Sequence, residues 1–509
     1  MADAYWKFTG RIDRRNPRDE GDANDVVERE NLLPRSGRNK KVPGTEKLFS
    51  NALSDRITWI GRYYTAESGI TSPKSFAYTQ DGKMWRLFDN GDAPVQANPV
   101  MNSDAYPKHW LFKTGQQTNL YVVDGLKLWR HDGNNDELFE DVELVDSNDD
   151  SVLPIDVIEH KDRLLVISKK SLFVSKNLEP ETFDDATDSL EVIIGSGKGE
   201  NLAFAKIEEF LFIFNTEGIF VIEGDTISAL SGTWRIRLVE QRNCVAGRSV
   251  HRVEKGVLFL SATEDKIELW SFDGTNSKLL SFTEVLSDFV NTSRGMLDKA
   301  VAHYVDNYYM VSVVAKGEAT TNRLEFWWDA FEDKISFVRG RNVSCYMSAD
   351  PTKEPPFSYV GRSDANFIMK VTDVHDFDGV APVIRFRTKD IPIAKKGQNS
   401  RISTIYPEIE PTGERNIFFR YLLDGRLSNV GDNAQFNQIL KGESLGLGFI
   451  AITNQSQFID RTRPKINYAR GTTIAFEIYD QTVGLDFSMK GIGLDIVPKG
   501  KKKGRKVSQ

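Results

Sequence analysis

The 509-residue chain has only two cysteines, Cys244 and Cys345, far apart and without a CxxC pair or a histidine close behind either. That usage excludes a zinc ribbon or a disulfide framework, and both are read as small buried hydrophobes. Histidine is nearly as scarce. His109, His131, His160, His251, His303 and His375 are scattered with no HExxH and no close pair, so no metal site and no catalytic histidine is assigned, although a central channel could gather distant residues. No segment approaches 18 apolar residues, and the opening "MADAYWKFTGRIDRR" has no apolar run before a small-residue cleavage site. No membrane insertion is expected, and the chain is expected to stay in the cytoplasm where it is made. Helix is almost missing: the best candidate is the amphipathic "SFTEVLSDFVNTS", residues 281–293.

What is present is a soluble composition, 40% hydrophobic and 27% charged, with a net charge of −7. The last residues, "PKGKKKGRKVSQ", hold six positive charges on Lys499, Lys501, Lys502, Lys503, Arg505 and Lys506, leaving −13 on residues 1–498. One stretch imitates a nucleotide site. "EVIIGSGKGENLAF" carries Lys198 in a glycine-rich turn after an apolar strand. A phosphate loop needs G-x-x-x-x-G-K-[ST] and a helix directly afterwards. Here Val192 replaces the first glycine, Gly199 replaces the hydroxyl residue, and a second strand follows. The turn is therefore read as a connection between strands, and no cofactor is expected.

The same stretch belongs to a repeat. Strand, polar turn and strand recur from Phe76, Leu120, Leu164, Leu211, Val257, Tyr308 and Phe357, with starts 44, 44, 47, 46, 51 and 49 residues apart. Each unit has a preceding strand joined by a polar turn, as in "IDVIEHKDRLLVIS" and "AVAHYVDNYYMVS", and room for a fourth. A period in the forties built of hairpins predicts an all-β propeller of about seven, alternatively six, four-stranded blades over residues 56–375. Residues 1–55 are polar and turn-rich and are read as an extended arm that docks rather than a core, with Trp6 and Phe8 as anchors on the propeller or a neighbouring subunit. Residues 376–498 show irregularly spaced strands ("PVIRFRTKDIPI", "RISTIYPEIEP", "NIFFRYLLDG", "TTIAFEIYD", "MKGIGLDIVP") expected of a β-sandwich-like domain. Residues 499–509 are read as a flexible basic tail.

Other motifs fall short of a site. Asp132, Asn134, Asp136 and Glu143 match four positions of a calcium loop, but Glu137 stands where glycine is needed. Trp327 and Trp328 could stack on a sugar, yet neighbouring strand residues face opposite ways, and core packing is favoured. "TQDGKMW" is similar to an aspartate box but places its glycine directly after Asp81, so it is read as a hairpin turn.

With the blades counted, "IIGSGKGENLAFAKIEEFLFIFNTEGIFVIEG" resembles the signature segment of β-propeller proteins in bacteriophage tails and necks. "WKFTGRIDRRNPRD" through "ENLLPRSGRNKKVPG" is similar to the start of those proteins, with Asn31, Gly37, Pro43 and Gly44 on the pattern, and "SRISTIYPEIEPTGERNIFFRYLLDG" resembles the β-domain that follows the propeller. Lys198 and Gly199 depart from the acidic residues frequent in that glycine turn. The resemblance is to tail nozzle and packaged-DNA stabilisation proteins of short-tailed phages. It implies a non-enzymatic virion component that forms a sixfold ring below the portal and adaptor and closes the DNA exit channel. It also implies contacts with itself, with portal, adaptor, and tail fibre or tip proteins, and with DNA passing without sequence specificity. The basic tail residues are the candidate contacts to DNA or to an acidic partner. Two other classes compete: a carbohydrate-active propeller enzyme, suggested by abundant tryptophan and carboxylates, and a monomeric propeller scaffold for host proteins.

Overall fold

In the computed structural model the chain divides into two compact units, residues 45–330 with 340–372, and residues 1–44 with 331–339 and 373–509. The structure describes residues 4–8, 26–35 and 38–498, apart from 65–73, 89–91, 98, 116, 135–137, 185–187, 225–232, 264–265, 281–282, 319, 348–358, 373–374, 395–399, 412–417, 425, 428–469 and 482–486.

The first unit is a β-propeller of seven blades. Blade 1 is the antiparallel run Ile57–Tyr63, Lys74–Thr79, Met84–Leu87, Val95–Ala97, and blade 2 is Lys108–Thr114, Gln117–Val123, Leu128–His131, Glu140–Val142. Blades 3, 4 and 5 begin with Asp156–His160, Asn201–Ile207 and His251–Val253 and are built in the same way. Within this unit blade 6 has three strands, Val301–Val305, Tyr308–Val314 and Asn322–Asp329. Every repeat start read from the sequence falls within, or for Phe357 just before, the second strand of a blade.

The central strands read as unbroken apolar runs because both their faces are covered. In Arg163–Ile167 of blade 3, Leu164 and Val166 pack with Tyr121 and Val123 of blade 2. The alternate residues Leu165 and Ile167 pack with Leu211 and Ile213 of blade 4. Blade 4 repeats the device, turning Phe212 and Phe214 toward Phe259 and Phe272 of blade 5. Successive strand residues point to opposite faces, so a blade between two others needs large apolar side chains at every position. Each such side chain stabilises the fold by about 1.5–3 kcal/mol through burial.

Closure is made by the other end of the propeller sequence. Blade 7 runs Val343–Met347, Tyr359–Arg362, Ile368–Thr372 and then Gly44–Lys47, so a strand from before blade 1 completes the last blade. Leu48 N–H donates to Ile368 O at 2.9 Å, and Leu53 and Asn366 exchange backbone and side-chain bonds. This corrects the arm boundary at residue 55: the segment from about 45 onward belongs to the propeller. Of its few apolar residues, Phe49 and Leu53 are buried against Ile57, Cys345 and Ile368 of blades 1 and 7, and the partly buried Leu48 packs on the same cluster.

In the second unit, both ends of the chain share two sheets. One has the order Leu32–Arg35, Arg38–Lys41, Phe487–Pro498, Ser400–Pro411, Arg470–Gly471, and Ala4–Trp6 also pairs with Phe487–Pro498. The other places Val26–Glu30 antiparallel to Ile384–Thr388, which continues through Thr473–Asp480 to Phe418–Leu423. All five strands expected in the C-terminal region are present. The residues expected to be an arm outside any core instead add strands to it, with Val26, Leu32 and Leu33 buried. Asn31 pins the crossing. It adopts a left-handed φ of 58° that asparagine tolerates, donates to Val383 O at 2.8 Å and accepts from Arg339 N–H at 2.9 Å.

Of the short helix expected over 281–293, residues 283–288 form a 3-10 helix, Thr283–Asp288.

Candidate functional site

The first strand of each blade faces the propeller axis, and together the seven enclose a cavity of about 520 Å³. Residues roughly fifty apart in sequence become neighbours there. Blade 1 offers Trp59, whose indole N–H donates to His109 Nδ1 of blade 2 at 3.0 Å. Because that nitrogen accepts, the neutral ring carries its proton on Nε2. Burial pushes His109 down to about 4. Lys108, beside it, spans blades 3 and 4: Nζ is 2.9 Å from Asp156 Oδ2 and 2.8 Å from Leu202 O. Asp156 Oδ2 also accepts from Phe204 N–H at 2.9 Å. Lys206 pairs with Glu159 at 2.9 Å and lies over the Trp110 ring.

The opposite side carries a stack of rings from three blades. His251 of blade 5 meets His303 of blade 6 edge to face, with centroids 5.5 Å apart, and His303 lies nearly parallel to Tyr346 of blade 7, also at 5.5 Å. Burial, with Arg341 and His251 nearby, pushes His303 down to about 3, and burial lowers His251 too. All three histidines therefore stand neutral at pH 7. Tyr346 O–H donates to Glu325 at 2.9 Å, and its phenol is raised well above the usual range, first by burial and then by that carboxylate.

Arg248 acts as a spoke. It sits in the one-turn 3-10 helix Gly247–Ser249 before blade 5, and its Nη2 donates to Thr58 O of blade 1 at 3.1 Å and Ser344 O of blade 7 at 2.7 Å. Its guanidinium lies 4.8 Å from the Tyr106 ring centroid. Its Nη1 is buried with no acceptor among the described residues.

The channel thus gathers three of the six scattered histidines. The signal was partial: His109, His251 and His303 all fall in the strand that precedes a repeat start, the axial strand, but so does His160, which the channel does not include. His131 instead packs against Phe76 and Phe139, His160 lies against Trp234, and His375 bonds Val42 O. Among the described residues the lining holds one carboxylate, Asp156, and no group of three or more His, Cys, Asp or Glu is placed to hold a metal ion. Cys345 lines the channel, and burial raises its thiol to about 11; Cys244 is buried and raised to about 12.

The other motifs resolve locally. The Lys198 turn links Leu190–Ile193 of blade 3 to Asn201–Ile207 of blade 4, with Gly195 and Gly197 at positive φ. Lys198 is exposed, and its carbonyl and that of Gly199 accept from Lys170 Nζ at 2.9 Å, so the turn reading holds. In the calcium-like stretch Asp132 is occupied by Asn134, whose backbone and side-chain nitrogens reach it at 2.9 and 3.0 Å; Asp136 lies outside the described residues. Asp81 is a turn residue that accepts from Thr79 and Ser54 and pairs with Lys83 at 2.7 Å. Trp327 is buried, its N–H bonded to Glu325. Trp6 and Phe8 dock on the C-terminal domain: Trp6 pairs in register with Ile492, and Phe8, fully buried, lies 6.2 Å from both Phe386 and Phe476. Lys499, Lys501, Lys502, Lys503, Arg505 and Lys506 lie outside the described residues.

Among solved structures, the chain is similar to YCF48 bound to D1 peptide, at 10% identity and TM-score 0.38, covering 67% of this chain and 98% of that one. It is similar to the extracellular domain of BT4673 from B. thetaiotaomicron, at 10% identity and TM-score 0.44, covering 81% of this chain and 58% of that one. BBS1N in complex with ARL6DN matches at 11% identity and TM-score 0.41, over 65% of this chain and 98% of the other. No family model and no curated protein matches the sequence.

Proposed function

We propose that this chain is a structural component of a bacteriophage tail or neck, a non-enzymatic subunit of a sixfold ring below the portal and adaptor that guides and closes the DNA exit path. The observation that carries the reading is how the chain ends are built in. Residues 4–41 supply strands to sheets whose other strands include Lys334–Arg339 and strands from residues 384–498, and Gly44–Lys47 completes the last blade. Neither end of the described chain can be peeled away without breaking a sheet, which suits a part that bears mechanical load. The resemblance of the opening, glycine-turn and C-terminal segments to nozzle and DNA-stabilisation proteins supplies the specific assignment. The acidic body, at −13 over residues 1–498, would let a polyanion slide. Six tails, each with six positive charges, would add a salt-sensitive brake.

Mass photometry of the full chain, alone and with the portal–adaptor complex of the same phage, tests the ring. A hexamer in either condition is the expected result, and a strict monomer in both defeats the proposal. Deleting residues 499–509 tests the brake: DNA retention should fall at low salt and the difference fade as salt rises, whereas retention unchanged across the salt series leaves the tail without that role.

A further inference from the structure

We propose that the propeller channel binds a small organic anion, with a carboxylate or phosphate group held by Arg252 and Arg248 and a planar apolar body packed among the channel aromatics. The proposal is independent of ring assembly, since every residue it uses lies in one propeller.

Charge is the first argument. Four cations line the cavity, Lys108, Lys206, Arg248 and Arg252. Lys108 is neutralised by Asp156 and Lys206 by Glu159. Neither arginine is paired with a carboxylate among the described residues. Arg252 is exposed on the axial strand of blade 5, paired through its backbone with Val257, and its carbonyl meets His251 Nδ1; its side chain has no bonded partner among the described residues. Arg248 keeps Nη1 buried and without an acceptor. A buried guanidinium N–H with no partner costs stability, and an anion at the axis would supply the acceptor. Planar, forked guanidinium groups match carboxylate and phosphate oxygens.

Shape and neutral donors are the second. A volume of about 520 Å³ is in the usual range for small-molecule sites, which combine apolar walls with a few convergent polar groups. The walls include Trp59, Trp110, Phe204 and Tyr346. His109 adds a directed donor, because its Nδ1 is committed to Trp59 and its proton is therefore on Nε2. A purely inorganic ion would leave the aromatic walls unused, which is why an organic anion with an apolar plane is favoured.

The test uses the full chain with two probes, 2-naphthoate and phenyl phosphate, and the neutral comparator 2-naphthalenemethanol. Binding is read by titration calorimetry and by quenching of tryptophan fluorescence. At least one anionic probe should bind once per chain, at least about ten-fold more tightly than the neutral compound. Arg252→Gln, at an exposed position whose side chain has no bond among the described residues, should fold normally and weaken that binding about ten-fold. Failure of both anions to bind at millimolar concentration overturns the proposal. Equal affinity for the neutral compound, or an Arg252→Gln variant that binds like the parent chain, overturns it as well.

Discussion

Glu325 is the residue whose loss should be felt most. It lies in blade 6, 1% exposed, and receives three groups: Tyr346 O–H at 2.9 Å and Trp327 N–H at 3.1 Å on Oε2, and Arg341 with Nε 3.6 Å from Oε1. The arginine contact is longer than a hydrogen bond, so it is an ion contact between two buried charges, supplemented by Arg341 lying 5.0 Å from the Trp327 ring centroid. Replacing Glu325 by leucine removes the only carboxylate paired with Arg341 among the described residues. A buried ion pair broken on one side costs about 3–5 kcal/mol. For a unit of this size that corresponds to a fall in Tm of roughly 6–10 °C. The double variant Glu325→Leu with Arg341→Met replaces the pair by apolar groups and should recover most of the loss, to within about 1–2 kcal/mol of the parent. Thermal unfolding followed by tryptophan fluorescence, on the parent and the single and double variants, completes the cycle. A single variant within about 1 kcal/mol of the parent, or a double variant less stable than the single, refutes the claim that Arg341 depends on this carboxylate.

The buried histidines make the fold acid-sensitive: His303 is held near 3 and His109 near 4 against an ordinary 6.5, so the unfolded chain takes up protons that the folded one refuses. Their contribution is complete above pH 6.5 and is lost as pH falls toward those values; a His303→Gln variant should show a shallower decline in Tm over that window, and an unchanged slope would count against it. Gly61→Ala should disturb the channel wall, because the new methyl would sit 2.0 Å from the Trp59 ring two residues earlier on the same strand face; a loss of about 1–3 kcal/mol with an altered tryptophan emission is expected, and a silent substitution would show that Trp59 is not held there. Phe8→Ala empties a fully buried site between Phe386 and Phe476; hydrogen exchange in Thr473–Asp480 should speed up in line with a loss of about 3–5 kcal/mol, and unchanged protection would mean that Phe8 does not hold that sheet.

The blades were legible because a propeller writes its architecture locally. Each hairpin is contiguous, its turn residues are glycine, aspartate or asparagine, and its central strand must be apolar on both faces, as in "RLLVI" and "FLFIFN". The closing strand was not legible. Gly44–Lys47 reads "GTEK", with Thr45 buried and Glu46 and Lys47 exposed. A strand at the outer rim of a blade needs no double-sided apolar run, and its partner Ile368–Thr372 lies more than 300 residues away. Val26–Glu30, "VVERE", was illegible for a related reason: its charged residues sit inside a sheet whose partner strand Ile384–Thr388 lies more than 300 residues away. Arg29 there is fully buried and donates to Phe8 O, a pairing that only the fold reveals. Polar composition suggested an arm, and tertiary pairing made it part of a core.

The channel escaped a linear reading for a different reason. Its polar contacts join residues from successive blades, so Trp59 meets His109, Lys108 meets Asp156, and His251, His303 and Tyr346 stack in turn. Each is separated from its partner by about one repeat, and no local motif can form across such a distance. What replaces the motif is phase. Trp59, His109, His251 and His303, all in strands just before a repeat start, line the axis, whereas the apolar residues of the second strands are buried between blades. Arg248 shows the consequence most directly. It lies outside every hairpin, in a one-turn helix, yet it holds the carbonyls of Thr58 and Ser344 in the first and last blades. The ring is therefore tied both at its outer rim, by the strand before blade 1, and at its axis, by a side chain from its far side. The residues that complete the channel are also residues that hold the circle closed.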